Sequence, residues 1–295
     1  MKKTWRPVVC VLLAGMIWGC MGLFTRNLNA AGLYAMEVVE IRVIGGALFS
    51  GLYLLLFHRA QLKICLRDLW CFAGTGICSL MAFSWCYFTG MTVASLSVMA
   101  VLLYTAPVFV MLMSLVLFRE RLTAVKLLAL GLSLAGCCLA FGLGTASALS
   151  TKGLLLGLGS GFCYSLYSIF SRYAIRRGYA SLTITFYTFV FCALGSAPLC
   201  VWPRVWQALA QPDTLAWSAG MALTTGFLAY ILYTKGLECM ESSRASILAS
   251  VEPVVATVIG AAVFHESLTW MNLLGVVLVL AAIAVLSLPQ KALGI

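Results

Sequence analysis

Ten apolar segments, each near the roughly 20 residues that a helix needs to cross a bilayer, follow one another at about 7–25, 33–57, 69–90, 94–118, 124–143, 153–174, 181–202, 214–235, 244–264 and 269–288. Only short connections separate them. Lipid offers no hydrogen bonds to an exposed backbone, so segments of this length fold as helices whose N–H and C=O groups are satisfied internally. The chain is therefore expected to be an all-α membrane protein of ten transmembrane helices. Of its 295 residues 63% are hydrophobic and 9% charged, which leaves no stretch for a soluble catalytic domain. Whatever the protein does, it does inside the bundle.

The start, MKKTWRPVVCVLLAGMIWG, has the basic and apolar regions of a secretion signal without a convincing small-residue cleavage site, and reads as an uncleaved first helix. Twelve cysteines lie mostly within apolar helices, where they act as small apolar side chains rather than a disulfide framework. No metal-ligand spacing appears, and no cofactor is expected. The net charge of +10 is not a nucleic-acid patch, because it alternates loop by loop. With the N-terminus inside, Lys2, Lys3, Arg6, Arg59, Lys63, Arg67, Arg119, Arg121, Lys126, Arg172, Arg176, Arg177, Lys235, Arg244 and Lys291 all fall on one side, fifteen of the 19 basic residues. Arg26, Lys152 and Arg204 fall on the other, and Arg42 lies within a helix. The positive-inside rule then puts both termini in the cytoplasm of a cell-membrane protein.

The chain also repeats itself. FRERLT at 118–123 matches FHESLT at 264–269, and one offset of 146 residues relates Pro107 to Pro253, Glu120 to Glu266, Arg26 to Arg172, Gly74 to Gly220, Tyr87 to Tyr233 and Gly90 to Gly236. A single ungapped register across five helices points to a duplicated unit, 7–143 and 153–288. Five is odd, so the second copy enters the membrane from the other side. Inverted halves of this kind rock about a shared midplane site, which favours a carrier.

These features resemble the EamA branch of the drug/metabolite transporter superfamily. The resemblance rests on the small-residue first helix AGMIWGCMGLFTR (14–26), its copy SGFCYSLYSIFSR (160–172), and a fourth-helix proline with a Glu thirteen residues on. It implies two inverted five-helix EamA repeats and a secondary carrier with a central cavity lined by helices 1, 3, 4, 6, 8 and 9. It implies a small-molecule substrate, leaves room for proton coupling and a homodimer, and says little of which substrate, since the superfamily exports amino acids, metabolites and drugs. A small polar metabolite, exported, is the leading expectation; a lipid-linked substrate flippase or a channel is the alternative. An enzyme would need a cluster of acid/base groups at one depth, and only scattered carboxylates occur.

Several residues stand out within the apolar helices. Glu252, in ASVEPVVAT (249–257), lies near the bilayer centre, where a charge costs about 2.5–3.5 kcal/mol on the insertion scale. It must face a cavity, find a partner or stay protonated, and its first-repeat counterpart is Ala106. Pro107 and Pro253 each remove a helical hydrogen bond, releasing the carbonyls of Leu103 and Ala249, and are expected to kink helices 4 and 9 as matched hinges. Arg42 is the other deep charge, with Glu40 two positions away and so on a different face and Glu37 nearer the surface: either it forms an ion pair within the bundle that holds helix 2 against its neighbours, or it receives a substrate carboxylate, so that with Glu252 it serves a zwitterion. Trp18, Tyr87, Tyr104, Tyr164 and Tyr230, with Trp85 and Tyr233, complete the candidate lining. Tyr34, Trp70 and Trp270 read as interfacial anchors. His58 and His265 sit at helix ends as surface residues, and Glu120 and Glu266 as caps or loop contacts.

Overall fold

A computed structural model gives the fold and describes residues 5–141 and 150–287. Lys2, Lys3 and Lys291 of the charge count, the loop around Thr145 and the far ends of the two repeat units lie outside the described residues. The expected ten helices are α1 (Trp5–Ala30), α2 (Ala35–Phe57), α3 (Leu66–Gly90), α4 (Leu96–Phe118), α5 (Ala124–Ala140), α6 (Thr151–Arg176), α7 (Ser181–Leu199), α8 (Pro212–Cys239), α9 (Ser242–Phe264) and α10 (Trp270–Ser287). Helix α5, at 17 residues, is the shortest. Helix 7 does not run on to 202. Pro198 and Pro203 punctuate the chain there, and a separate helix, Trp202–Leu209, precedes α8.

The packing obeys a pseudo-two-fold axis. Helix α1 lies against α8 as α6 lies against α3, and α1 against α9 as α6 against α4, while α2–α7 and α5–α10 are each their own mates. The tightest crossing is that of α5 and α10: a Cβ added to Gly136 would stand 2.7 Å from the Gly275 carbonyl oxygen, so the two backbones touch where only glycine fits. The backbone repeats in finer detail too. Among the described residues the four positive-φ positions are Arg119 and His265, at 55° and 54°, and Gly32 and Gly178, at 89° and 86°. Both pairs are 146 residues apart. An L-residue in this region costs about 1–2 kcal/mol, so two unrelated side chains share it because each ends the same helix of a duplicated unit.

Two irregularities, also paired, position the site. Helix α4 bends between α4a (Leu96–Leu103) and α4b (Ala106–Phe118), and α9 between α9a (Ser242–Ala249) and α9b (Glu252–Phe264). Pro107 and Pro253 stand in the first turn of the second segment, where a missing N–H costs little, and the two joining residues keep φ between −64° and −73° in each case. Helices α3 and α8 each contain a π-helical stretch, Gly74–Met81 and Ala222–Leu228, at matched depth. Wide turns of this kind leave carbonyls open to side chains from other helices.

Candidate functional site

At each bend the carbonyl released by proline meets a glycine of the opposite repeat. A Cβ on Gly15 would lie 2.8 Å from the Ala249 oxygen, and one on Gly161 would lie 3.2 Å from the Leu103 oxygen and 2.8 Å from that of Leu102. Gly15 and Gly161 are themselves mates. The freed carbonyls therefore pack on α1 and α6.

Glu252 is the first residue of α9b. Its carboxyl meets the positive end of that half-helix, a favourable contact of about 0.3–1 kcal/mol, too small alone to offset the membrane cost given above. The Tyr104 side chain, from the bend in α4, lines the same cleft as Glu252. Glu252 is only half-buried, because it opens onto a cleft lined with Tyr104, Pro107, Tyr164, Ser168, Tyr233 and Ser250. An adjoining cleft is lined by Trp18, Ser79, Phe83, Tyr164, Tyr167 and Tyr230. The two share Tyr164, Ser168 and Tyr233, and their walls come from α1, α3, α4, α6, α8 and α9.

The aromatic groups are fixed by one another. Trp18 donates its indole N–H to the Thr225 carbonyl, 3.1 Å away in the π-helical stretch of α8, and packs against Tyr230 and Tyr233 with ring centroids 5.1 and 5.3 Å apart. The α6 and α8 faces interlock through Tyr167 with Thr234 and Ser168 with Tyr233, both at 2.7 Å. Residues 164, 167 and 168 and residues 230, 233 and 234 follow the same i, i+3, i+4 spacing, which puts each trio on one helical face. That spacing is the signal by which Tyr167, Ser168 and Thr234 can be found in the sequence. The hydroxyls of Ser246 and Ser250, which join the lining from α9, give no such pattern.

Arg42 does not pair with the acidic residues near it in sequence. Glu37 accepts from Arg204 at 3.1 Å and from the Tyr34 backbone N–H at 2.8 Å, and Glu40 takes the Ser196 hydroxyl. Arg42, 3% exposed, has among the described residues a single acceptor, the Met21 sulfur at 3.3 Å, and its Nε has none. A guanidinium offers five donors, so this one is buried with its charge unpaired. It lines neither cleft. Tyr87 stands one turn beyond Phe83, at 6.0 Å between rings, behind the lining. Trp85, 47% exposed, lines neither cleft. Tyr34, Trp70 and Trp270 are exposed, as anchors would be.

Residues 5–142 and 151–288 each match the profile of the EamA-like transporter family. An uncharacterized transporter of Archaeoglobus fulgidus is 30% identical over 93% of this chain and 94% of its own. The uncharacterized inner membrane transporter YicL of Salmonella typhimurium is 23% identical over 99% and 98%. A solved crystal structure superposes with a TM-score of 0.82 over 97% of this chain and 98% of that one, at 17% identity, a likeness of fold alone.

Proposed function

From the premise that the chain belongs to the EamA-like transporter family, we propose that it carries a small zwitterionic metabolite of the amino-acid class by alternating access, with export as its direction. That it is a multi-pass membrane transporter follows from the family, and its relatives are named as transporters, which implies transport rather than catalysis. The observation that carries the substrate class is the pairing of two deep charges of opposite sign without a direct ion pair. Glu252 faces a cleft, and Arg42 is buried without a carboxylate partner. Removing one partner from a buried charge pair leaves the other uncompensated at a cost of about 3–5 kcal/mol, so an unpaired Arg42 is a site of stored attraction for an anion. A carboxylate moving toward Arg42 and an ammonium toward Glu252 would satisfy both. Pro107 and Pro253 serve in this reading as the points where the half-helices move, while Tyr104, Tyr164, Trp18 and Tyr230 form the walls and Tyr87 backs them. Glu252 also exchanges a proton as it alternates between substrate-bound and free.

The test is uptake into proteoliposomes from a panel of labelled amino acids, amines and carboxylates, with and without a pH gradient. Zwitterions are expected to move, faster with the gradient. Transport restricted to lipids, or to anions alone, overturns the substrate class. Orientation is checked separately. A reporter fused after Ile295 is expected in the cytoplasm and one placed near Thr145 outside; both positions lie beyond the described residues, and the reverse result at either would contradict the inverted-repeat assignment of sides.

A further inference from the structure

The two membrane faces are built from the same parts but joined differently. On the basic face, the turn from α8 to α9, residues 237–243, is clamped. Glu120, from the end of α4 and only 8% exposed, accepts the backbone N–H groups of Ser242 and Ser243 at 2.8 and 3.2 Å and the Ser243 hydroxyl at 2.5 Å. A carboxylate of one repeat thus caps the N-terminus of α9a in the other. From the end of α6, Arg172 donates to the carbonyls of Leu237 and Met240 at 2.5 and 3.0 Å.

The 146-residue offset names the counterpart of every atom group in this clamp. Glu266 stands for Glu120, Leu96 and Ser97 for Ser242 and Ser243, Arg26 for Arg172, and Met91 and Ala94 for Leu237 and Met240. None of the counterpart bonds is made. Arg26 and Glu266 pair with each other instead, 52% and 51% exposed, and Met91 and Leu96 are exposed where Leu237 and Ser242 are buried. The N–H groups of Leu96 and Ser97, in the first turn of α4a, have no partner among the described residues. Packing shows the same imbalance. Helix α9a lies along α4b, closing the basic face, whereas the counterpart pair α4a and α9b shares no comparable contact.

We propose that Glu120 with Arg172 and Glu266 with Arg26 are two exchanging clamps that position the half-helices during transport, of which the structure holds the first closed and the second open. When the opposite face closes, the Arg26–Glu266 pair parts, Glu266 caps α4a through Leu96 and Ser97, and Arg26 takes the Met91 and Ala94 carbonyls. Glu120 and Arg172 release the 237–243 turn in the same movement. This deepens the alternating-access reading and rests on it. The Glu and Arg bonds lost on one face are remade in kind on the other, whereas the Lys126–Glu241 ion pair at the same turn has the uncharged counterparts Asn272 and Ser95. Parting the Arg26–Glu266 pair costs little, since exposed ion pairs contribute little, whereas a charge-assisted cap on buried backbone donors is stronger.

Two symmetric pairs of surface sites read the exchange directly. Spin labels at Leu122 and Cys239 span the basic face, and labels at their counterparts Val93 and Leu268 span the other; all four residues are exposed. With the remaining cysteines replaced, the unmodified clamps are expected to give mainly a short Leu122–Cys239 distance and a long Val93–Leu268 one. Glu120→Gln should raise the population with the reverse pattern by roughly tenfold, and Glu266→Gln should lower it by a similar factor. Ser243→Ala, which spares the carboxylate, should act in the direction of Glu120→Gln but less, and serves if that variant does not fold. Shifts of the same sign in both Glu variants, or an unchanged ratio between two populations, would overturn the clamps while leaving alternating access standing. A single distance for each pair under all conditions would overturn both.

Discussion

Glu252→Gln is expected to fold, insert and run as a monodisperse species in detergent, yet to lose transport by roughly 30-fold or more, the equivalent of the 2 kcal/mol at the lower end for truncating a buried charge partner. Glutamine keeps the length and hydrogen-bonding reach of the side chain, so the cleft retains its shape. What it cannot do is ionise. The loss should appear in two ways at once in the liposome assay: weaker apparent affinity for substrates that carry an amine, and no response of the remaining flux to a pH gradient. Unchanged rate, affinity and pH response would make Glu252 a structural residue. It would also remove the reason for its placement beside Pro253, which is to start a half-helix with a carboxylate where the dipole of that half-helix receives it.

Valine at Gly15 or Gly161 should be nearly as damaging, by a different route. Each glycine touches the bend in a helix of the other repeat, and an added Cβ would stand 2.7 Å from the Val251 Cγ1 atom at Gly15, or 2.7 Å from the Thr105 hydroxyl oxygen at Gly161. Overpacking of this kind costs about 1–3 kcal/mol, and here it falls on the two turns that join the half-helices. Transport is expected to drop at least tenfold and the melting temperature to fall. Gly159→Ala on the same helix as Gly161 is the control, since its Cβ would meet only Cys86 Sγ, at an ordinary 3.6 Å, and should leave both measures unaltered. Equal tolerance of Val at 161 and Ala at 159 would mean that the bends do not depend on the contact.

The helices and their duplication were legible because both are written locally: spanning length in runs of apolar residues, and the repeat in an offset that no gap interrupts. The site was legible only in part. Glu252, Trp18, Tyr104, Tyr164 and Tyr230 announce themselves as polar or aromatic groups deep in apolar helices, and the fold gathers them about two adjoining clefts. The surroundings of Arg42 were not readable, because the partners that take Glu37 and Glu40 away from it, Arg204 and Ser196, lie 167 and 156 residues along the chain. Nor could the prolines show what their released carbonyls would meet, since Gly15 and Gly161 lie on other helices.

The paired π-helical stretches of α3 and α8 bear on the history of the chain. A π turn holds more residues than an α turn, so a helix acquires one by gaining a residue, and a gain in only one half would have shifted everything after it out of step. The 146-residue correspondence runs through both stretches unbroken, from Gly74 and Gly220 to Gly90 and Gly236. The two halves therefore carry the widened turn in the same register, as copies of one five-helix unit would.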